Sequence, residues 1–215
     1  MNEATKWEEL MNKVEDLDPE LEAYLFREAS IGSVIKHPLV YELLYDKQSN
    51  ARLNYALKLK KEYLAKAQKK KNFSSYIMLH EKPWRFEALK SIIEDVKDRE
   101  KAAELIHSVW IGSENIWQHL AEWKVMLKEY REELRSTMDE EDTLVFNSLP
   151  ETITVYRGYQ KGKNKSGISW TLDKEKAEWF GGRFSKEKLF ATKTIKKDKV
   201  LFYSNQRGEQ EIVIV

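Results

Sequence analysis

The sequence predicts an α+β fold, with a helical N-terminal part packed on a C-terminal strand-rich core. Three observations carry this expectation. Up to about Asn147, apolar residues recur at spacings of three and four. After "NSLPET", short β-branched and aromatic runs punctuated by glycine take over. Those last ~65 residues are too few to bury a full core of their own, so the helices before them must supply part of it. The expected division is a helical region over 1–147, its later helices integral to the C-terminal unit, and a strand core over 148–215.

In chain order, "DPE" opens the first predicted helix, with Asp18 as cap, Pro19 at the first helical position, and Leu21, Leu25 and Phe26 on one face. Phe86, Leu89, Ile93 and Val96 repeat the helical period. The clearest stripe follows "GSEN": Ile116, Leu120, Trp123, Leu127, Tyr130 and Leu134, with Lys, Glu and Arg between them. "ITVYRG" then reads as a strand closed by glycine, "GKNKSG" as a loop and "GISWT" as a second strand. "DKEKAEWFGG" reads as a helix capped by Asp173 and stopped by its glycine pair. "KLFATKTI", "KVLFYS" and "EIVIV" complete the strands.

Composition excludes several classes. The 215 residues are 41% hydrophobic and 12% aromatic, ample for a core, so the chain is not of the disordered kind. Charged residues make up 34%, but the net charge is only +1, which points neither to nucleic acid nor to an acidic substrate. There is no Cys, so disulfides and thiolate metal sites are excluded. "MNEATKWEELMNK" lacks the apolar stretch of a signal peptide, and no apolar run approaches the roughly 18 residues of a membrane span. The expected setting is cytoplasmic, with no membrane partner. His37, His80, His107 and His119 show no metal-ligand spacing, so no metal is expected and each reads as a surface or satisfied core residue. Walker and Gly-x-Gly-x-x-Gly phosphate loops are missing as well.

Three short stretches carry chemistry: "YRG" at Tyr156–Gly158, "SWT" at Ser169–Thr171 and "EQE" at Glu209–Glu211. In an extended chain the two glutamates would point to one side, at the entrance to a buried strand. In order and approximate spacing these stretches resemble the ADP-ribosyltransferases of the Arg–Ser–Glu type. That family has an Arg ending a first strand, a Ser-x-Ser/Thr strand, and a Glu-x-Glu or Gln-x-Glu before a late strand. The resemblance extends over Ile153–Val215 and includes "A..F" at Ala177–Phe180. The chain departs from it at Trp170, where many relatives have a small residue. Arg157 stands where the diphtheria-toxin branch has a His. The resemblance implies a split β-sheet core and NAD as substrate, with no metal.

The residues suit that chemistry. Nicotinamide leaves NAD as a neutral group, so the positive charge developing on the ribose is what needs help. A carboxylate beside the ribose 2′-OH supplies it. Glu211 is the candidate, held by Ser169, with Glu209 orienting or deprotonating the acceptor. Arg157 offers a forked cation for a pyrophosphate and its ribose. The resemblance adds Gly158 binding the nicotinamide carboxamide through its main chain. Thr171 shares the face of Ser169. Phe180 and Phe184 are candidates to stack on nicotinamide, and Arg183 to reach phosphate. Each has a plainer reading: a strand-end Arg and turn glutamates as solvated charge, Ser169 and Thr171 as β-surface residues, Phe180 as core.

Lys58, Lys60, Lys61, Lys66, Lys69, Lys70 and Lys71 stand against a single Glu in "KLKKEYLAKAQKKK", with aromatics following. This pattern suits single-stranded nucleic acid, and equally a solvated helix face ending in favourable positive charge. The expected activity is mono-ADP-ribosyl transfer from NAD to a macromolecule, a protein side chain or an RNA or DNA base. A toxin or phage-conflict setting, in which an antitoxin would be the neutralising partner, follows by family analogy. The competing expectations are an inactive, transferase-like docking protein and a simple NAD glycohydrolase.

Overall fold

The computed structural model describes residues 13–28, 30, 32–114, 116–162, 165–184 and 187–215. It is an α+β protein with two antiparallel sheets. The chain forms two compact units, one up to Glu94 and one from Asp95 to Val215. Texture changes at Asn147, but the compact units divide some fifty residues earlier by number, where no glycine or proline marks a boundary.

The first unit is not purely helical, which corrects the expectation for its N-terminal part. Asp18 caps helix α1 (Pro19–Glu22) by accepting from the Glu20 N–H at 2.9 Å, but the helix lasts one turn. Leu25 and Phe26 instead lie on strand β1 (Leu25–Glu28), paired with β2 (Gly32–Lys36), which pairs in turn with β3 (Tyr41–Glu42). The apolar residues after Pro19 fit a helical face and a short strand equally well, and cross-strand pairing decided between them. Leu21 and Ile35 bury against Leu53 and Leu57 of helix α2 (Asn50–Lys69). Helices α3 (Phe73–Met78) and α4 (Arg85–Ile92) follow. Phe86 and Leu89 are buried on α4, as the periodicity requires, and Ile93 continues it as a 3₁₀ turn.

The second unit begins with helix α5 (Arg99–Gly112), whose Ala102, Ala103, Ile106, Val109 and Trp110 are buried. The stripe from Ile116 does not form one helix. It divides into a 3₁₀ turn (Ile116–His119), α6 (Leu120–Glu129) and α7 (Arg131–Ser136). At the break, Arg99 donates to the Glu129 carbonyl at 2.8 Å and lies over the Tyr130 ring at 4.6 Å. A long-range side chain thus takes up a helix-end carbonyl that sequence periodicity would have left inside a helix. Trp123, Leu127 and Leu134 remain buried on the stripe. Helix α8 (Glu140–Ser148) leads into β4 (Thr152–Gly158), β5 (Ser169–Thr171), helix α9 (Lys174–Gly182), β6 (Phe190–Lys196), β7 (Val200–Ser204) and β8 (Glu211–Ile214).

The five strands form one sheet in the order β6-β4-β5-β8-β7, every pair antiparallel. β7 and β8 are buried throughout, and α7 and α8 pack on β7. Trp110 meets Trp123 and Phe202 edge-on, at ring distances of 5.2 and 6.3 Å. Among the described residues no helix is long and apolar enough to cross a membrane.

His107 is buried against Phe202, ring centroids 4.9 Å apart, and its Nε2 has no partner, so it is not a satisfied core histidine. Burial lowers its pKa from about 6.5, with Asp139 opposing. A histidine held neutral in the fold contributes stability that is complete above the unfolded value and is lost as pH falls through the lowered one. Resistance of the full chain to thermal unfolding is therefore expected to weaken as pH falls below about 6.5, and His107→Phe should flatten that limb. His37 and His80 are shifted the same way, so the difference between variant and wild type is the quantity to read. Identical slopes in the two proteins would remove His107 from the account.

Candidate functional site

The central three strands bring the sequence candidates together. Cα pairing sets Thr171 opposite Glu211 and Ser169 opposite Val213, which makes Ser169 and Glu211 diagonal neighbours on one face. The Ser169 hydroxyl donates to Glu211 Oε1. Trp110 Nε1 donates to Glu211 Oε2 at 3.3 Å, from a residue far away in sequence. Glu211 is only 4% exposed in its side chain. Burial raises its pKa; the bonds from Ser169 and Trp110 and the charge of Arg207 hold it back, while Glu209 adds to the rise.

Arg157, at the end of β4, donates from Nη1 to the Ser169 carbonyl. Its guanidinium lies across Gly167, where an added Cβ would come within 2.3 Å of Cζ and Nη2. Gly167 is thus a seat for the arginine that the motif reading missed. Burial presses the guanidinium below its ordinary pKa and the neighbouring Glu211 opposes it, which places the two charges within mutual influence.

Gly158 has a structural reason of its own. A Cβ there would sit 2.2 Å from the Ala177 carbonyl oxygen, 2.5 Å from Gly181 N and 2.7 Å from Phe180 Cβ. The position is occupied by the backbone of α9, whose first turn is capped by Asp173 accepting from Lys176 N at 3.1 Å. The glycine pair ends this helix as expected, but Gly181 also lets the Leu189 carbonyl approach to within 2.2 Å of where its own Cβ would be. Phe180 is half-buried, edge-on to Trp179 at 5.0 Å. Arg183 lies over the rings of Trp179 and Phe184, at 5.5 and 5.2 Å, and these two rings are 55% and 76% exposed. The three nicotinamide and phosphate candidates of this segment therefore gather on and just beyond a helix, not on the strands.

The two glutamates are not related by strand alternation, which corrects the sequence reading. Gln210 between them has φ +45°, in the left-handed region, and β8 starts only at Glu211. Glu209 belongs to a tight loop. Asn205 accepts from Gly208 N at 2.8 Å through its carbonyl and from Gln210 N at 3.1 Å through its side chain. Buried Asp142 of α8 anchors the loop by accepting from Asn205 N at 3.0 Å. Thr171 ties down its other end: its hydroxyl donates to the Glu209 carbonyl at 2.7 Å and accepts from Asp173 N at 2.9 Å. Thr171 is thereby committed to backbone and positions the loop.

Arg207 is what brings the two carboxylates together. Its Nη2 lies 2.9 Å from Glu209 Oε2 and 3.7 Å from Glu211 Oε2. Its Nη1 donates to the carbonyls of Ile111 and Ser113, at 3.3 and 3.4 Å, at the C-terminal end of α5. Neither Arg207 nor Trp110 belongs to a motif. A charge four residues before Glu211 was the sole hint of the first, and nothing in the sequence pointed to the second.

The lysine stretch lies in the first unit, on α2 and its cap. Lys60 pairs with Glu81 at 2.6 Å, Lys61 pairs with Glu20, and Lys66 lies over the Tyr63 ring at 5.3 Å. Lys58, Lys69, Lys70 and Lys71 are exposed, the last with φ +52° beyond the helix end. Part of the basic charge is thus answered within its own unit.

No protein-family model, curated protein or solved structure matches this chain.

Proposed function

We propose that this chain is an NAD-dependent mono-ADP-ribosyltransferase, transferring ADP-ribose to a macromolecular acceptor with release of nicotinamide. The observation that carries the reading is the carboxylate of Glu211, hydrogen-bonded by Ser169 and Trp110 beside the half-buried guanidinium of Arg157, which donates to the Ser169 carbonyl. Within the proposal the five-stranded unit is an ADP-ribosyltransferase-like core.

In this scheme the donors on Glu211 fix its rotamer, and the oxygens keep lone pairs that can accept the ribose 2′-OH. Fixed negative charge beside C1′ stabilises the positive charge that grows there as nicotinamide departs with the bonding pair. Burial sharpens that effect, because a low local dielectric strengthens the attraction. Arg157 binds the pyrophosphate side of NAD, its guanidinium lying across Gly167. Glu209 takes the proton of the attacking group. Phe180, Phe184 and Arg183 line the approach for nicotinamide and phosphate.

The test is the release of nicotinamide from NAD by the purified chain. With labelled NAD and cell lysate, protease or nuclease sensitivity of the label then assigns the acceptor. No nicotinamide release from folded protein would sink the proposal and favour a docking protein. Glu209→Gln should lower transfer about a hundredfold while leaving most NAD hydrolysis. Equal loss of both would move Glu209 to NAD binding, and wild-type hydrolysis with no transfer in either protein would make the chain a glycohydrolase.

A further inference from the structure

Beyond that reading, we propose that the outer side of α9 and the basic edge strand after it form a surface that binds single-stranded nucleic acid, its bases stacked on Trp179 and Phe184. Binding there needs no NAD and is separate from the choice of acceptor.

Helix α9 has two sides. Ala177 and Gly181 are buried toward β4, where Gly158 leaves room for the helix backbone. Trp179 stands midway between them in sequence, about 200° around the helix from each, and so faces outward. Its ring is 55% exposed and that of Phe184 is 76% exposed. Rings left in water forgo the stabilisation that burial brings. Arg183 lies over both, at 5.5 Å from Trp179 and 5.2 Å from Phe184, and Phe180 props Trp179 edge-on at 5.0 Å. Two flat apolar faces and a planar cation therefore share one patch, and a guanidinium both stacks and pairs with phosphate.

Charge selects the occupant. Residues 151–200 hold thirteen Lys and Arg against six Asp and Glu, in a chain whose net charge is only +1. The remaining residues together are thus net acidic, and this segment is where a polyanion settles. Beside the patch Lys188 crosses Gly182, its Cγ 3.1 Å from where a Cβ would be. Strand β6, at the edge of the sheet, exposes Thr192, Lys193, Thr194 and Lys196. Glu178 of α9 is answered by Lys174 at 3.8 Å. Lysines on an edge strand also deter pairing with another chain, but that duty asks for no exposed rings. Cations beside open stacking faces are what an unpaired strand requires, whereas a duplex keeps its base faces stacked inside.

Labelled oligo(U) and oligo(dT) of about twelve nucleotides are titrated with full-length protein in the absence of NAD, beside an oligo(dT)–oligo(dA) duplex and a poly-glutamate peptide. At least one single strand should bind more tightly than the duplex and the peptide, and the tighter arm names the source as RNA or DNA. Affinity should fall roughly tenfold between about 50 and 200 mM salt, as about three phosphate contacts require. Trp179→Ala should weaken binding about tenfold, the loss of one stacked base, and Trp179→Phe should keep most of the affinity. Lys193→Glu combined with Lys196→Glu should weaken binding and flatten its salt dependence. Wild-type protein that binds neither strand at low salt overturns the proposal, whether or not a variant folds. Binding indifferent to Trp179→Ala in a folded variant, or a duplex bound as tightly as the single strands, overturns it too. Poly-glutamate bound as tightly as the single strands overturns it in favour of an acidic protein partner. None of these readouts depends on nicotinamide release, so failure here leaves the transferase reading standing.

Discussion

Glu211→Gln is expected to reduce nicotinamide release by about a hundredfold or more, the scale of removing one preorganised electrostatic group from an active site, while the protein melts at or above the wild-type temperature. The two outcomes share one cause. Glu211 is buried, and burial raises its pKa against the help of Ser169, Arg207 and Trp110. An acid whose folded pKa is raised contributes stability that is full below its unfolded value, near 4.5, and is lost as pH rises through the folded value. At neutral pH the carboxylate therefore sits at a net disadvantage that the amide does not share. Gln fits the same space: the Trp110 N–H can donate to its oxygen, and the Ser169 hydroxyl can turn to accept from its NH₂. The stability difference between the two proteins should shrink as pH falls toward about 4.5 and stay constant below it. A folded variant with wild-type nicotinamide release would end the assignment of Glu211. A variant that melts well below wild type at pH 7 would instead make the carboxylate structural.

Gly158→Ala should destabilise the fold by about 1–3 kcal/mol, the range for forcing a methyl group into packed surroundings. The added Cβ would meet the Ala177 carbonyl, Gly181 N and Phe180 Cβ, all closer than 3 Å. Two of these are backbone atoms of α9, which cannot swing aside as a side-chain end could. Relief requires the helix to move off β4, and it would carry Phe180 and Arg183 with it. Denaturant unfolding reads the loss directly, and the apparent affinity for NAD should fall in parallel. If stability is unchanged and only NAD affinity falls, the glycine serves the dinucleotide alone. If neither changes, α9 does not press on β4 as described.

The strands of the second unit were legible in the sequence because each carries its own punctuation. Gly158 closes β4, Asp173 caps α9, and alternation or continuous apolar runs mark β7 and β8. Local chemistry decides such features, since a cap or a strand end needs only its neighbours. The Ser169–Glu211 pair was legible for a related reason: once two short strands are antiparallel neighbours, period-two geometry leaves few choices of face.

What the sequence by itself determined is thus the α+β class, the C-terminal element order and the triad of Arg157, Ser169 and Glu211. Tertiary structure alone decided the rest. The segment after Pro19 became a strand because β2 offered a partner. The stripe from Ile116 broke at Tyr130 because Arg99 reached the Glu129 carbonyl. Glu209 and Glu211 came together through Arg207, after the left-handed Gln210 had removed the strand alternation between them. Trp110 and Gly167 joined the site from positions that no motif marks. The contacts of Arg99 with Glu129 and of Trp110 with Glu211 link residues whose separation carries no periodic signal, and each satisfies a charged or backbone group that needs a partner. Those requirements exist only once the chain has folded.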